Sequence, residues 1–558
     1  MILAATSQLT TPDYIVILLY LAGTIGIGIA IGRKMKTGSE FFLGGRQLPW
    51  WAIGMSLVAT DIGGTDIIGV GGAAYTHGLA VANFEWIGCI PAMIIGAFLF
   101  IPFFYRTGVF TIPEYLERRY NVGVRTVMAI CWLLFMACNL GIMLLASAKM
   151  MSAVFGWNEP LCILVTAVLV GAYTCVGGLA AVVYTDMIQC TVMIIGCLLV
   201  LVLGIIEVGG FEELQNRLAE VEARKLEEAR GENEPEINEE APPADRPLER
   251  TSLLLPADTT SPFPWTGIYF GLALILSPAY WIGNQAIVQR SLGAKSDFEA
   301  KASYIWGALL KNIIPIIVAV PGLVAMALLP DLESGDTAIP SLVNRLLPVG
   351  LRGLFVAAFL AALMSSVDSY LNSAATIVSN DLYKRFVNRN VTDEQLLTIG
   401  RATTLALVIW AVIFAFLLTL ASESSGIYAI FQTLMAFFQG PAFAVLLFGM
   451  LWKRATGKAA FIALLCGIAT SIMLYILSQV AVTDALGWEP LFRIQEPFLY
   501  FSVWAFLVTA FLLVLISLIT PIESDVKLKY VFHRAKSLDK TDFSAAAGLS
   551  IAAEETNT

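Results

Sequence analysis

The chain has 558 residues, of which 58% are hydrophobic and only 14% are charged. A soluble globular domain carries about 25% charged residues. Here long apolar runs fill most of the sequence, and many reach the roughly 20 residues needed to cross a bilayer. This excludes a soluble enzyme and predicts an all-α polytopic membrane protein with lipid as its surroundings.

Thirteen hydrophobic spans follow in chain order, near residues 12–33, 49–75, 81–105, 123–155, 158–178, 180–208, 263–289, 303–329, 350–378, 398–421, 424–452, 457–482 and 496–520. No cationic segment precedes the first, and no small-x-small cleavage site follows it, so it reads as a retained helix. Basic residues gather in alternate loops. Arg33, Lys34, Lys36 and Arg46 follow the first span, and Arg106, Arg118 and Arg119 follow the third. Arg290, Lys295 and Lys301 follow the seventh, Lys384, Arg385 and Arg389 the ninth, and Lys453, Arg454 and Lys458 the eleventh. Lys527, Lys529, Arg534 and Lys536 lie in the tail. Loops rich in Lys and Arg stay cytoplasmic. The N-terminus is therefore expected outside and the C-terminus inside, in a plasma membrane or a bacterial inner membrane.

The net charge of −9 is concentrated in one loop, since Phe211–Arg250 holds 13 acidic and 6 basic residues. That stretch begins with a helix-like run, FEELQNRLAEVEARKLEEAR, and becomes Pro- and Glu-rich in PEINEEAPPADRP. Its composition predicts partial disorder, as does that of the tail after about residue 540. All eight cysteines lie in or beside apolar spans without a Cys-x-x-Cys pair, and there are two histidines. Buried packing explains the cysteines, and no zinc site is expected. No nucleophile–base pair stands out in the loops, so neither an enzyme nor a nucleic-acid partner is indicated.

Two spans carry helix-breaking features in corresponding places. The second contains Ile62-Gly63-Gly64-Thr65, with Gly69, Gly71 and Gly72 beyond, and the seventh contains Ser277-Pro278. Paired broken helices mark inverted-repeat transporters, where freed backbone groups hold ion and substrate. Packing glycines and a tolerated proline kink explain the same residues equally well.

Ionisable groups at the centre of a membrane helix cost about 2.5–3.5 kcal/mol each on insertion scales, which favours a functional reason for them. The spans keep Asp61, Asp66, Glu85, Asp186, Lys311 and Asp368. Glu85 and Lys311 lie nearer span ends, where snorkelling competes as an explanation. The span at 350–378 carries Ser365, Ser366, Asp368, Ser369, Asn372, Ser373 and Thr376, mostly on one helical stripe. Such a stripe suits a hard cation, which takes oxygen ligands. Hydrogen bonding between helices is the competing account.

Taken in order, LGGRQLPWWAIGMSL, FEW at Phe84–Trp86, TIPEYLERRY, GGLAAVVYTDMIQ, YWIGNQAIVQR and AALMSSVDSYLNSAATIVSNDLYKR make the chain resemble the solute:sodium symporter family, sodium/glucose cotransporter-like. The resemblance runs from the first span to about the twelfth. It implies a LeuT-type 5+5 inverted repeat with one extra N-terminal and two extra C-terminal helices. The expected division is an extra helix in 1–33, a first repeat in 49–208 and an acidic external loop in 209–262. A second repeat in 263–452, extra helices in 457–520 and a cytoplasmic tail in 521–558 complete it.

Carried over by position, the resemblance implies a common sodium site made by the carbonyls of Ala59, Ile62 and Ala362 and the hydroxyls of Ser365 and Ser366. Asp186, with Ser365, Asp368 and Ser369, matches a second cation site of some members. Asp61 resembles a sodium-linked aspartate of proline permease. Glu85, Tyr280, Trp281, Lys311 and Gln432 match positions that contact or gate a sugar. Asp66, which belongs with them by position, departs from the glucose-transporter pattern. The expected activity is sodium-driven symport of a small polar solute, a sugar or polyol first, with Na+ as coupling ion and no other cofactor. An amino acid, carboxylate or vitamin-like solute is the alternative within the fold, and a channel or solute sensor the alternative outside it. The oligomeric state is not legible.

Overall fold

The computed structural model describes residues 9–32, 42–174, 179–230, 249–259, 261–421, 427–478, 482 and 497–532. Arg33, Lys34, Lys36, Cys175, the run PEINEEAPPADRP and the tail beyond residue 532 lie outside them. Among the described residues the protein is helical, with isolated bridges at Leu48–Ala294 and Leu255–Pro264 and no strand.

The helices in chain order begin with α1 (Thr11–Gly32), α2 (Trp50–Asp61), α3 (Gly64–His77), α4 (Leu79–Thr107), α5 (Ile112–Arg119) and α6 (Val122–Phe155). There follow α7 (Glu159–Thr174), α8 (Leu179–Val208), α9 (Phe211–Arg230), α10 (Gly267–Gly283), α11 (Gln285–Leu292) and α12 (Asp297–Leu328). The last six are α13 (Ala338–Leu346), α14 (Leu351–Val387), α15 (Asp393–Ala421), α16 (Ile427–Leu451), α17 (Gly457–Leu477) and α18 (Pro497–Ile519). Among the described residues ten helices are long and apolar enough to cross a membrane, and two bent pairs, α2–α3 and α10–α11, bring the figure to twelve. Of the predicted 158–178 span the described residues reach Thr174, and Glu159–Gly171 is an apolar helical stretch within it. Length and composition support ten to twelve crossings among the described residues, and the remaining predicted span, 158–178, is described only in part.

The polar stripe explains which helix is central. In α14, 94% of the apolar stretch is buried inside the protein, against 22% in α1 and α15. A helix bearing seven polar groups in twelve residues is costly to expose to lipid, so α1, α2, α6 and α8 surround it. The close approach of α8 and α14 depends on Gly196, where an added Cβ would run into Ala358. Gly72 of α3 is likewise a contact surface, since a Cβ there would lie 2.7 Å from the Gly335 carbonyl oxygen. The glycines of the second span therefore serve packing as well as the break.

Three of the prolines within continuous helix follow a widened turn. The π-helical segments Phe84–Cys89, Gly96–Phe100 and Gly267–Leu276 lead into Pro91, Pro102 and Pro278. A proline lacks the N–H of an ordinary turn and crowds the carbonyl four residues back. The i→i+5 pattern relieves both, and π turns recur at functional sites.

The acidic segment is more ordered than its composition predicts over the part described. α9 is formed, and the buried Arg250 binds Glu222 of α9 at 2.7 Å and the carbonyls of Tyr75 and Thr76 at 2.8 and 2.7 Å. It thereby ties this segment to the C-terminal end of α3.

Candidate functional site

The first break lies where the glycines predict it. α2 ends at Asp61, Ile62 leaves the helical region (φ −89°, ψ 89°), and α3 restarts at Gly64 with a bend of 56°. Gly63 N–H donates to Asp66 Oδ2 at 2.9 Å, so Asp66 caps the first turn of α3. Gly63 also admits α14 closely, since a Cβ there would stand 2.7 Å from Ser366 Oγ. Across this contact Ser365 Oγ donates to the Ala59 carbonyl at 2.6 Å and to that of Ala362 at 2.9 Å. Ser366 Oγ reaches the carbonyls of Thr60 at 2.9 Å and Ala59 at 3.5 Å. The structure thus brings together Ala59, Ala362, Ser365 and Ser366, adds Thr60, and sets Ile62 at the bend. Several backbone and hydroxyl oxygens converge there.

The second break is not at Ser277-Pro278. Those residues continue α10, for the reason given above, and the bend of 51° falls at Asn284, between α10 and α11. Asn284 is extended there (φ −73°, ψ 120°), and its side-chain oxygen accepts the Ala286 N–H at 3.0 Å, capping α11.

Between the two breaks lies a small cavity. Asp61, Asp66, Glu85, Tyr280, Trp281 and Gln432, all singled out in the sequence, line it. Lys311, fully buried, bonds to both Asp61 and Glu85, and its ammonium lies 5.4 Å from the Trp281 ring centre. Snorkelling therefore does not account for Glu85 or Lys311. α12 runs on to Leu328, which puts Lys311 mid-span, where only a paired charge is tolerated. Asp61, Glu85 and Cys89 could by distance hold a metal ion, their ligand atoms lying within 4.8 Å of one another, yet the Lys311 ammonium bonds to both carboxylates. Tyr280, which lines the cavity, has its Oη 3.1 Å from Tyr370 Oη of α14.

Gln439 also lines the cavity, and the sequence reading missed it. It stands seven residues beyond Gln432, on the same face of α16, and that spacing could have found it. Tyr370 was missed because an aromatic inside a membrane span looks like core.

The residues matched to a second cation site assemble around a fixed cation. Asp186 Oδ2 accepts from Ser56 Oγ at 2.6 Å and from Arg290 Nη2 at 3.3 Å. Arg290 also donates to Ser56 Oγ at 2.7 Å and to Ser369 Oγ. Ser369 lies 3.0 Å from Thr60 Oγ1 and 3.4 Å from Asp368 Oδ1, and donates to the Ser365 carbonyl. Counting Arg290 among the loop cations is a mistake, because α11 is buried along its whole length and Arg290 with it. The broken span extends past the point where apolarity alone ends it.

The profile of the sodium:solute symporter family matches residues 41–467. The sodium/glucose cotransporter of Vibrio parahaemolyticus is 32% identical, the match covering 83% of this chain and 84% of that protein. The sodium/myo-inositol cotransporter 2 of Oryctolagus cuniculus is 31% identical, over 91% and 77% respectively. A substrate-bound, outward-open Na+-coupled sialic acid symporter superposes with a TM-score of 0.75 over 92% of this chain and 99% of its own, at 22% identity. A nucleobase-cation-symport-1 family transporter in a closed conformation follows at 0.51, covering 88% and 97% at 13% identity. These two show a shared transporter fold. With a family match over most of its length and relatives above 30% identity, the chain belongs to the sodium:solute symporter family: it is a multi-pass, Na+-coupled membrane transporter and not an enzyme.

Proposed function

We propose that the protein uses the sodium gradient to take up a sugar or polyol by alternating access. One juxtaposition carries this reading. The cavity lined by Glu85, Trp281 and Gln432 adjoins the break where the Ala59 carbonyl meets Ser365. The carboxylate and amide can hydrogen-bond several hydroxyls, while the indole face covers the apolar side of a ring. That the relatives named above are sodium/glucose and sodium/myo-inositol cotransporters supports a polyhydroxylated solute.

In this reading Ala59, Ile62, Ala362, Ser365 and Ser366 ligate Na+, and Asp61 answers its charge. Asp66, Glu85, Tyr280, Trp281, Lys311 and Gln432 hold or gate the solute. Residues 49–208 and 263–452 act as the two inverted repeats, and their rocking exposes the site to each side. The flanking parts are the 1–33 helix, an external 209–262 segment, the 457–520 helices and the 521–558 tail. The N-terminus faces out and the C-terminus faces the cytoplasm, in a plasma membrane or a bacterial inner membrane.

One charge crossing 100 mV is worth about 2.3 kcal/mol, and a tenfold sodium gradient adds about 1.4 kcal/mol. One ion thus supports roughly 500-fold accumulation. Arg290 supplies the positive charge beside Asp186, so we assign a coupling ratio of one Na+ per solute. The second reading, a second mobile cation at Asp186, Ser365, Asp368 and Ser369, requires Arg290 to leave. The Asp186→Ala variant separates the two, because only the second reading lowers the ratio.

Thermal unfolding of the purified protein tests the assignment. Na+ alone should raise the transition temperature, and a sugar or polyol should raise it further only when Na+ is present. Stabilisation by amino acids or carboxylates instead would move the solute class. Stabilisation independent of Na+ would sink the coupling. Tyr280→Ala is expected to raise the solute concentration for half-maximal uptake by about tenfold with Na+ activation retained. Unchanged uptake and solute retention would remove Tyr280 from the gate.

A further inference from the structure

The charges lining the cavity do not balance. Asp61, Asp66 and Glu85 face it, and Lys311 bonds to Asp61 and Glu85. Among the described residues no Lys or Arg pairs with Asp66. One of its oxygens caps α3 by accepting the Gly63 N–H, but the side chain is partly exposed within the cavity. Three carboxylates therefore share one ammonium. Asp66 is thus the cavity carboxylate that no ammonium or guanidinium among the described residues answers. In a low-dielectric site an unpaired charge is costly, and an ionised partner makes the stronger hydrogen bond. A neutral ring would leave that charge unanswered, whereas a solute with one positive charge answers it.

A second, independent observation points to a hydroxylated ligand in the same place. Gln439 is fully buried and lines the cavity, and neither its amide nitrogen nor its oxygen has a hydrogen-bond partner among the described residues. A buried amide of this kind normally has partners. A donor–acceptor pair in the wall of a cavity suits adjacent hydroxyls, which donate and accept in turn.

We propose that the preferred solute is a hydroxylated ring bearing a protonated amine, with Asp66 selecting the charge and Gln439 contributing to recognition of the hydroxyls. The proposal rests on the reading of the cavity as the solute site.

The test titrates the purified full-length protein in saturating NaCl with matched probes: D-glucose, N-acetyl-D-glucosamine, and D-glucosamine with its positional amino-deoxy isomers. At least one amino sugar should bind about tenfold or more tighter than glucose, and acetylation of its amine should abolish the gain. Asp66→Asn should bring the ratio close to one, with stabilisation by Na+ alone reporting that the variant is folded. Glucose binding as tightly as every amine in the native protein would overturn the proposal, and that arm needs no variant. A preference for amines that survives Asp66→Asn would overturn the role of Asp66. Binding of glucose without preference would leave the sugar reading standing. Failure of every ring to bind, with Na+ still stabilising, would remove both.

Discussion

Replacing Ser365 and Ser366 together by alanine is expected to raise the Na+ concentration for half-maximal uptake by at least about tenfold, with the protein still folded in the membrane. The two hydroxyls are the only side-chain oxygens in the proposed ligand set, the others being the carbonyls of Ala59, Ile62 and Ala362. They also form the hydrogen bonds that hold α14 against the end of α2 at Ala59 and Thr60. Losing a neutral hydrogen bond costs about 0.5–1.5 kcal/mol, so the pair of substitutions is tolerable for folding. Removing two of five oxygen ligands is a larger loss for an ion that must leave water to bind. Sodium titration of solute uptake in proteoliposomes checks this. Normal sodium dependence in the double variant would move the ion elsewhere.

Arg290→Ala carries the largest expected cost to stability. It leaves the carboxylate of Asp186 buried beside Ser56 without a cation. Breaking one partner of a buried pair typically costs about 3–5 kcal/mol. The variant should therefore unfold at distinctly lower temperature than the native protein, and the double change Arg290→Ala with Asp186→Ala should recover part of the loss. A single variant as stable as the native protein would show that Asp186 is answered from elsewhere. Sodium dependence adds a second readout. With Arg290 gone, Asp186, Ser369 and Asp368 resemble the oxygen-rich set that the sequence suggested, so added Na+ should stabilise the single variant more than it does the native protein.

The long apolar spans were legible because bilayer crossing demands length and apolarity together, both of which a sequence displays. The first break was legible because Gly63 and Gly64 are adjacent within a span long enough to cross the membrane. The second was not, since Ser277-Pro278 carries a strong signal that the preceding π turn absorbs, whereas Asn284 is an ordinary polar residue until its capping bond is seen. Lys311 and Glu85 were ambiguous for a different reason. Their neutralisation comes from three helices, α2, α4 and α12, and no single span records it. Arg290 was misplaced because a buried half-helix rich in polar residues looks like the end of a span.

One helix carries contacts to the first break, to Arg290 and to Tyr280. Along a single buried shaft, α14 presents Ser365 and Ser366 to the helix break, Ser369 to Arg290 and Tyr370 to Tyr280. Within six residues it works like a camshaft: a small rotation changes ion coordination, the arginine anchor and the tyrosine contact in one stroke. Kinetically these are then one coordinate rather than three. A probe of the Tyr280–Tyr370 separation should relax with the same rate constant as sodium release, and two distinct rates would mean that the shaft bends.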